Sequence, residues 1–417
     1  MKKKGCIIIL TTVFLAGWLA VTAGAQELNR EALKAEIKKE LKEEMRGEGG
    51  VLSGIREHIH ISGLIEVGAA WQDVEYRDGS SEDDSDLCLT TVELGIEAEV
   101  NEWVHGGVLL LYEDATSFAG DDDETSVDLD EGWVTIGNTE AYPLYFSAGK
   151  MYVPFGALLT HFPDDPLIDQ PLTLLLGETS EKAALLGVEH QGFSVSGYLF
   201  NGDVDEYGED NHIESYGFDA NYAFDDEEGF DLFVGVSYLS NLGDSDGFAD
   251  AIDGALAELA TEIAESEVIT VDDIDLGLED YVAGFDAYAH VGYAGFFLDV
   301  EYMTALDELE LGGQYASEDE VIEVSKNTRL EPEVWNVEFG YNWDWGKNLE
   351  IALKYATSDE AGALLGFPED RYGIALNQEI FEGVIVSLAY LNDDFEDDDI
   401  DGRDDRDVVY SQLAIEF

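Results

Sequence analysis

The chain has few cysteines and few basic residues. Cys6 and Cys88 are its two cysteines, and Cys6 lies in a segment that we predict to be removed, so a disulfide framework is excluded. Lys and Arg total 20 against 93 Asp and Glu, giving a formal net charge of −73. Such a charge repels phosphate backbones and excludes nucleic acid as a partner. Hydrophobic residues still make up 45% of the chain, which is too many for a disordered protein.

Long apolar runs are also missing after residue 25. No stretch approaches the ~18 consecutive apolar residues of a membrane-spanning helix. The N-terminus, however, has the order of an export signal: Lys2–Lys4 are basic, Cys6–Ala20 is apolar, and Val21–Ala25 ends in an A-x-A cleavage motif. A lipoprotein would need a cysteine after the apolar segment rather than at its start. An exported membrane protein without a membrane helix must be a closed β-barrel, because only closure satisfies every backbone group in lipid.

The first segment after this signal has helical periodicity. Between Glu27 and Arg46, apolar residues recur every four positions among lysines and glutamates: Leu33, Ile37, Leu41 and Met45. A coiled coil alternates steps of three and four, so this stripe favours a solvated periplasmic helix over a long coiled coil. A short oligomerising bundle or a cell-wall contact is the alternative. We therefore divide the chain into a signal peptide (1–25), a periplasmic helix and linker (26–50) and an outer-membrane β-barrel (51–417).

The barrel prediction is clearest in the last strand. Asp407–Phe417 places Leu413, Ile415 and Phe417 on one face and ends on a phenylalanine, as is typical of the strand that closes an outer-membrane barrel. Similar alternation recurs upstream, and we predict an all-β fold, a 16-stranded antiparallel transmembrane β-barrel with a short N-terminal periplasmic helix. The predicted strands are 57–72, 86–100, 103–114, 126–138, 143–152, 181–190, 193–203, 213–224, 229–240, 280–292, 296–305, 331–343, 348–358, 370–378, 384–393 and 406–417.

The predicted connections alternate between short and long. Short links such as 101–102 and 191–192 alternate with long stretches, at 73–85, 115–125, 153–180, 241–279, 306–330 and 394–405. Short periplasmic turns, long external loops and an even strand count characterise outer-membrane barrels. Aromatic residues beside the short turns predict a girdle at the periplasmic interface of the membrane. They are Trp103, Phe224, Phe230, Phe296, Trp343, Trp345 and Phe381.

Within the strands, an apolar face alternates with a charged face. Charged side chains are costly in lipid, so we expect the charged face to line a water-filled lumen. Cys88 shares the parity of Val92 and Leu94 and is expected to face outward. The predicted pore-lining residues are Glu66, Glu93, Glu97, Lys150, Lys182, Asp286, Asp299, Glu301, Glu338, Glu350, Lys354 and Arg371.

A barrel of sixteen strands is wide enough for an aqueous channel. Residues 26–56 are too few to form a plug domain, so the sequence indicates a porin narrowed by a loop. The loop at 153–180 is less acidic and more apolar than its neighbours, which favours a position against the inner wall over one at the rim. An acidic lumen attracts cations and repels anions. The acidity could instead serve solubility in a salty habitat, where exposed charges are screened within ~10 Å at 0.1 M salt.

Several segments resemble the LbtU-type siderophore porins. They are Ile59–Gly68, Thr91–Gly95, Asp130–Asn138, Ala148–Gly156 and Leu175–Thr179. The resemblance is densest over residues 57–203 and looser from there to Phe417. It implies an unplugged outer-membrane barrel that takes up an iron-loaded siderophore. Its motifs are strand and turn sequences, so no binding residue is carried over. A general diffusion porin that prefers cations is the alternative, and Lys150, Lys182, Lys354 and Arg371 are the basic residues available to an anionic siderophore.

Two segments are weak metal candidates. Asp397, Asp399 and Asp401 precede Gly402 as in a calcium loop, but the twelfth position, which should be acidic, is a valine. A solvated acidic loop that binds divalent cations loosely is the alternative. His58 and His60 share a strand face, but two histidines without a third ligand are more often polar lumen residues than a transition-metal site.

The insert 246–266 is predicted to be a helix in the longest external loop. The helix would fold over the pore mouth as a lid or pack against a second copy of the chain. Its apolar stripe consists of Phe248, Ile252, Leu256, Leu259 and Ile263. Local spacing groups no serine, histidine and acid, so an enzyme is not predicted. We expect no cofactor apart from loosely bound divalent cations. The expected partners are outer-membrane lipid and a small solute or ferric siderophore, and a homo-oligomer is a further candidate assembly.

Overall fold

The computed structural model describes residues 58–113, 127–158, 169–207, 212–226, 229–266, 274–317, 320–344, 348–397 and 399–417. The predicted signal peptide and the predicted periplasmic helix lie outside these residues. Within them, no helix is both long enough and apolar enough to cross a membrane.

Sixteen antiparallel strands form a closed barrel, which confirms the predicted fold class. Their order around the barrel is β1, β19, β18, β17, β16, β15, β12, β11, β9, β8, β7, β6, β5, β4, β3, β2. Predicted strand ends agree with the structure to within about five residues. The barrel strands are β1 (Ile59–Tyr76), β2 (Ser81–Asn101), β3 (Val104–Glu113), β4 (Asp128–Asn138), β5 (Tyr142–Tyr152), β6 (Ser180–His190), β7 (Phe193–Phe200), β8 (Ser215–Asp225), β9 (Phe230–Leu239), β11 (Gly284–Tyr293), β12 (Phe296–Ala305), β15 (Glu333–Asp344), β16 (Asn348–Asp359), β17 (Asp370–Phe381), β18 (Val384–Asp394) and β19 (Arg403–Glu416).

The last strand closes the barrel against the first. β19 pairs with β1 from Leu64↔Glu416 to Tyr76↔Arg403. Beyond the strand, the backbone amide of Phe417 donates to the carbonyl of Gly63, and the Gly63 amide donates to the Phe417 carbonyl, both at 3.0 Å. Closure leaves no barrel strand with an open edge, which is what a lipid environment requires.

The external loops contain structure of their own. A second sheet pairs β13 (Leu309–Ser317) with β10 (Ile274–Leu278) on one side and β14 (Glu320–Leu330) on the other. Helices α1 (Leu172–Gly177), α2 (Asp246–Ser266) and α3 (Gly362–Leu365) come from three different loops, and a 3₁₀ turn spans Leu242–Asp244. Residues 306–330, predicted as a plain loop, therefore contain a hairpin.

One predicted loop is wrong. Residues 73–85 were expected to form a long external loop, but β1 runs to Tyr76, β2 begins at Ser81, and four residues connect them. The two strands continue their pairing to Glu75↔Ser81. The acidic stretch at the start of β2 is exposed, so water can solvate its carboxylates although the backbone is extended.

Cys88 faces the interior, contrary to the prediction. The register of β1 and β2 shifts between Glu66↔Thr91 and Gly68↔Cys88, so β2 has two residues where β1 has one. This bulge reverses the parity of β2 on its external side. Cys88 is 5% exposed and its Sγ lies 3.7 Å from the Gly68 carbonyl oxygen, whereas Leu87 is 72% exposed.

The outer face carries a continuous set of exposed apolar side chains, among them Ile96, Leu186, Phe218, Leu353 and Ile374. Exposing this surface to water would be unfavourable, whereas in lipid it forms the expected apolar band. The predicted aromatic girdle is present at the short-turn end, where Phe224 lies near Phe230 and Phe296 lies near Tyr341. Trp345 lies outside the described residues. The chain is thus a barrel of the Gram-negative outer membrane.

Candidate pore and constriction loop

Cross-strand pairing identifies the inward face of every barrel strand. Side chains of directly paired residues lie on the same face of a sheet, so the pairs can be followed around the barrel. Glu97 pairs with His60 and Gly107 on the neighbouring strands, and Glu338 pairs with Asp299 and Lys354. Ten of the predicted pore-lining residues fall on this inward face: Glu66, Glu93, Glu97, Asp286, Asp299, Glu301, Glu338, Glu350, Lys354 and Arg371.

The other two predicted residues, Lys150 and Lys182, have the parity of the outer face, contrary to the prediction, and Lys150 also lines a cavity beside α1 and α2 at the external end of β5. They pair with each other, two positions beyond Ala148↔Ala184 and four beyond Phe146↔Leu186. Phe146 is 40% exposed and Leu186 is 54% exposed, as lipid-facing residues are. Both lysines are near the external ends of their strands, where an ammonium group can reach water. The Lys150 Nζ donates to the carbonyl of Leu129 at 3.0 Å.

We call the loop between β5 and β6, residues 153–179, the constriction loop, and its described parts lie against the inner wall. The amide of Gly156 donates to Ser237 Oγ on β9 at 2.9 Å, and the amide of Ala157 donates to Glu301 Oε1 on β12 at 2.6 Å. Helix α1 of this loop packs on β12, β15 and β16. The described parts, 153–158 and 169–179, thus lie inside the barrel, as their apolar composition favours.

A chain of alternating charges fastens this loop to the far wall. We call it the charge ladder, and it consists of Glu338, Lys354, Asp169, Arg371, Asp393 and Arg406. Asp169 of the constriction loop bridges Lys354 Nζ and Arg371 Nη1, each at 3.0 Å. Lys354 also binds Glu338 at 3.2 Å, and Asp393 binds Arg371 at 2.7 Å and Arg406 at 2.5 Å. Three carboxylates thus balance three cations in a buried position.

Sequence reasoning missed three members of this ladder. Asp393 and Arg406 have the inward parity of Leu391 and Val408, so strand alternation alone could have identified them. Asp169 lies in a loop, and no periodic signal in the sequence indicates which loop carboxylate reaches the wall.

The insert predicted as a helix is α2, and it packs on its own chain. Phe248 and Ile252 are fully buried, and Leu256 and Leu259 are at most 9% exposed; the side chain of Ile263 lies outside the described residues. Helix α2 contacts α1, α3, β10 and β13. The apolar stripe therefore faces the other external loops rather than a second copy of the chain. We call this assembly of α2, the 3₁₀ turn and the second sheet the external lid.

Two aspartates hold the base of the external lid. Asp244 Oδ2 accepts from the Ser215 hydroxyl at 2.5 Å and Asp244 Oδ1 accepts from the Val204 amide at 3.2 Å. Asp246, the first residue of α2, accepts from the Ser180 amide at 3.2 Å. Burial raises the pKa of both carboxyl groups to about 6.

Neither metal candidate is supported as a site. Asp399 accepts hydrogen bonds from Arg403, Asp401 lies 3.3 Å from the same arginine, and Asp397 binds Arg77 at 2.6 Å. These carboxylates are bound to two arginines and do not converge on one point, and the calcium loop stays a weak prediction. In the part of the chain that the structure describes, no three Asp, Glu, His or Cys side chains are arranged to hold a metal ion, and this includes His58 and His60.

Two of the cavities lined by described residues lie beside strands β1–β5. One of about 510 Å³ lies near the periplasmic end beside Ser62, Glu93 and Phe417. The other, of about 400 Å³, lies between β3–β5 and the two helices α1 and α2. Its charged lining is mostly acidic: Glu113, Asp128, Asp130, Lys150, Glu178, Asp246 and Asp250.

Comparison with known proteins gives distant relatives and a shared fold. No family model matches the sequence. The chain is 25% identical over 313 residues to a UPF0422 protein of Coxiella burnetii, covering 74% of this chain. It is 25% identical over 347 residues to the UPF0422 protein lpg2959 of Legionella pneumophila, covering 80% of this chain. The matches span 59% of the length of each relative.

Among solved structures, the anion-selective porin from Comamonas acidovorans superposes with a TM-score of 0.52 at 11% sequence identity. The match covers 86% of this chain and 99% of that porin. Sequence identity of 11% shows the barrel fold alone. The closed 16-stranded barrel and these similarities support an outer-membrane porin-like protein.

Proposed function

We propose that the protein is a passive channel for small solutes that prefers cations. The observation that carries this proposal is the charge distribution on the inward face. Acids occupy inward positions on strands around the barrel, whereas the inward-facing lysine and arginines of the described strands, Lys354, Arg371 and Arg406, are each bound to carboxylates in the charge ladder. The lumen therefore has a negative potential, which concentrates cations and excludes anions.

On the side of the barrel opposite the strands that bind the constriction loop, acidic side chains are open to the water of the lumen. Glu97 on β2 is exposed and Glu93 is half-buried, so both carboxylates reach the water that fills the barrel. They lie on β2, whereas helix α1 of the constriction loop packs on β12, β15 and β16. A solute that passes between the constriction loop and β1–β4 would therefore meet acidic side chains.

Planar bilayers test the proposal directly. We expect purified protein to insert with stepwise conductance and to show a cation-selective reversal potential under a KCl gradient. An inserted barrel without conductance would contradict the channel. A marked anion preference would contradict the assignment of the inward face. The Comamonas porin is a useful reference, because its fold is shared and its stated selectivity is opposite.

Uptake of a ferric siderophore is the second candidate, and the resemblance to LbtU-type porins supports it. The proposed basic path for an anionic siderophore is weaker than the sequence indicated. Lys354 and Arg371 are 4% and 7% exposed and bound to Asp169, while Lys150 and Lys182 are on the outer face. Growth of a deletion strain under iron limitation, with radio-iron uptake from supplied siderophore, separates the two candidates. If the deletion strain takes up iron normally but loses permeability to small cations, the protein is a general porin.

A further inference from the structure

The constriction loop rests on a second group of buried carboxyls that has no basic partner among the described residues. Asp286 on β11 is 0% exposed and Glu301 on β12 is 5% exposed. Their carboxyl groups lie side by side beneath Gly156 of the constriction loop. The charge ladder is balanced without them. Two adjacent buried carboxylates without a cation would repel each other strongly, because burial removes the water that would solvate their charges.

Glu301 uses both oxygens to accept hydrogen bonds from the loop. Its Oε1 accepts from the Ala157 amide at 2.6 Å, and its Oε2 accepts from the hydroxyl of Thr173 at the start of α1. An ionised carboxylate only accepts hydrogen bonds, and Glu301 accepts one at each oxygen, so we assign the negative charge of the pair to Glu301.

Asp286 has one oxygen without a partner. Its Oδ1 lies 3.5 Å from the Ser237 hydroxyl. Its Oδ2 is fully buried and accepts no hydrogen bond in the structure. Buried polar atoms without a partner are rare in native proteins and call for an explanation. A proton on Oδ2 supplies one, since it converts that oxygen into a donor to Glu301.

Both carboxyl groups lie directly beneath a glycine of the loop. Gly156 has φ +86°, and a Cβ atom there would lie 2.9 Å from Glu301 Oε1 and 3.9 Å from Asp286 Cγ. The glycine allows the loop backbone to approach the pair, and its amide donates to Ser237, the neighbour of Asp286. The loop, the serine and the two carboxyls thus form one hydrogen-bonded unit.

We propose that Asp286 and Glu301 share one proton and that this proton holds the constriction loop on the barrel wall. The inference rests on the proposed channel function. While the proton is present, Glu301 is a single anion that accepts from Asp286, Ala157 and Thr173. When alkaline solution removes it, two adjacent anions lie beneath Gly156 and their repulsion loosens the loop. The pore then widens.

Other titratable groups face this pair and must be separated from it. Tyr288 donates to Asp219 on β8 at 3.1 Å, and Glu338 on β15 belongs to the charge ladder with Lys354. His290 lies between Asp299 at 2.6 Å and Asp231 at 2.7 Å. Asp286 and Glu301 differ from these groups because Glu301 hydrogen-bonds the constriction loop on both oxygens.

Single-channel conductance across an alkaline pH series tests the proposal with four proteins. We expect the wild type to gain conductance as pH rises and Asp286→Asn to lose that transition, because an amide donates to Glu301 at every pH. Glu301→Gln should show the wide state already at neutral pH, since its amide nitrogen cannot accept from the loop. His290→Gln should keep the transition. A transition that persists in Asp286→Asn, or disappears in His290→Gln, overturns the proposal.

Infrared spectroscopy tests the proton without any conductance measurement. The carbonyl band of protonated carboxylic acids should be stronger in the wild type at neutral pH than in Asp286→Asn. Absence of that difference overturns the shared proton even if the channel conducts. A barrel that shows the band but never conducts contradicts the channel function and leaves the shared proton in place. Heat-modifiable migration of each variant shows that it has folded.

Discussion

The two sides of the inner wall differ in what covers them. On β2, Glu93 and Glu97 reach the lumen water, whereas on β15 and β16 Glu338 and Lys354 are 0% and 4% exposed. Strand alternation is the same on both sides. The constriction loop causes the difference, because it crosses the lumen to β9, β12 and the charge ladder. Charges on the covered side hold the loop, and charges on the open side meet the solute.

We expect the largest loss of stability when the charge ladder is broken. Arg371→Met leaves Asp169 without one of its two cations and Asp393 with Arg406 alone. Removing one partner of a buried ion pair typically costs about 3–5 kcal/mol in the free energy of unfolding. Urea unfolding of the detergent-folded barrel measures this loss.

The matched control is an arginine outside the barrel wall. Arg329 is 62% exposed and binds Glu308 and Glu310. Arg329→Met should cost only ~0–1 kcal/mol, because exposed ion pairs contribute little. Equal losses in the two variants would contradict a structural role for the ladder. Charge reversal at Lys354 and Arg371 would also release the loop, because both side chains bind Asp169, and would therefore not test a siderophore path by itself.

Truncating a buried side chain of the external lid should destabilise the lid by a similar amount and leave the barrel folded. Ile252→Ala removes a fully buried side chain from the stripe of α2, and such truncations cost about 2–5 kcal/mol. We expect proteolysis within the lid to accelerate while the barrel keeps its heat-modifiable migration. Asp253→Ala, on the exposed side of α2, is the control and should cleave at the wild-type rate. Unchanged cleavage in Ile252→Ala would show that the lid is not held by this stripe.

Neutralising the open side should change selectivity rather than stability. We expect Glu93→Gln with Glu97→Gln to lower the cation preference in reversal-potential measurements, because both carboxylates face lumen water. The control is Asp83→Asn with Asp84→Asn in the exposed external part of β2, which should matter little at high salt, where charges are screened. A larger effect from the external pair would place selectivity at the rim.

Strand alternation predicted most of the barrel but little of the site. Period-two patterning identified all sixteen strands and the inward face of Glu338 and Lys354, because lipid imposes an apolar outer face on each strand. It failed at Cys88, where a bulge reverses the parity, and at Lys150 and Lys182, which lie where the lipid constraint ends. Asp169 was beyond reach, because the contact between Asp169 and Arg371 joins residues 202 positions apart and leaves no periodic signal.

The smallest effect that we predict is the pH dependence of the external lid. The pKa of Asp244 and of Asp246 is raised to about 6, above the ordinary value of 3.8, because burial disfavours their charged forms. The folded lid therefore binds protons more tightly than the unfolded lid. Its stability is greatest below about pH 4, falls as pH rises toward about 6, and is constant above that window.

Hydrogen exchange in α2, corrected for the intrinsic rate at each pH, measures this dependence. We expect protection of the helix to decrease between pH 4 and pH 6 and then to level off. Asp246→Asn should flatten part of the decrease, because an amide in its place still accepts from Ser180 and does not titrate. Asp253→Asn on the exposed side of the helix should leave the profile unchanged. Protection that increases with pH would mean that these two carboxylates stabilise the lid in their charged forms, and that burial is not the dominant influence on them.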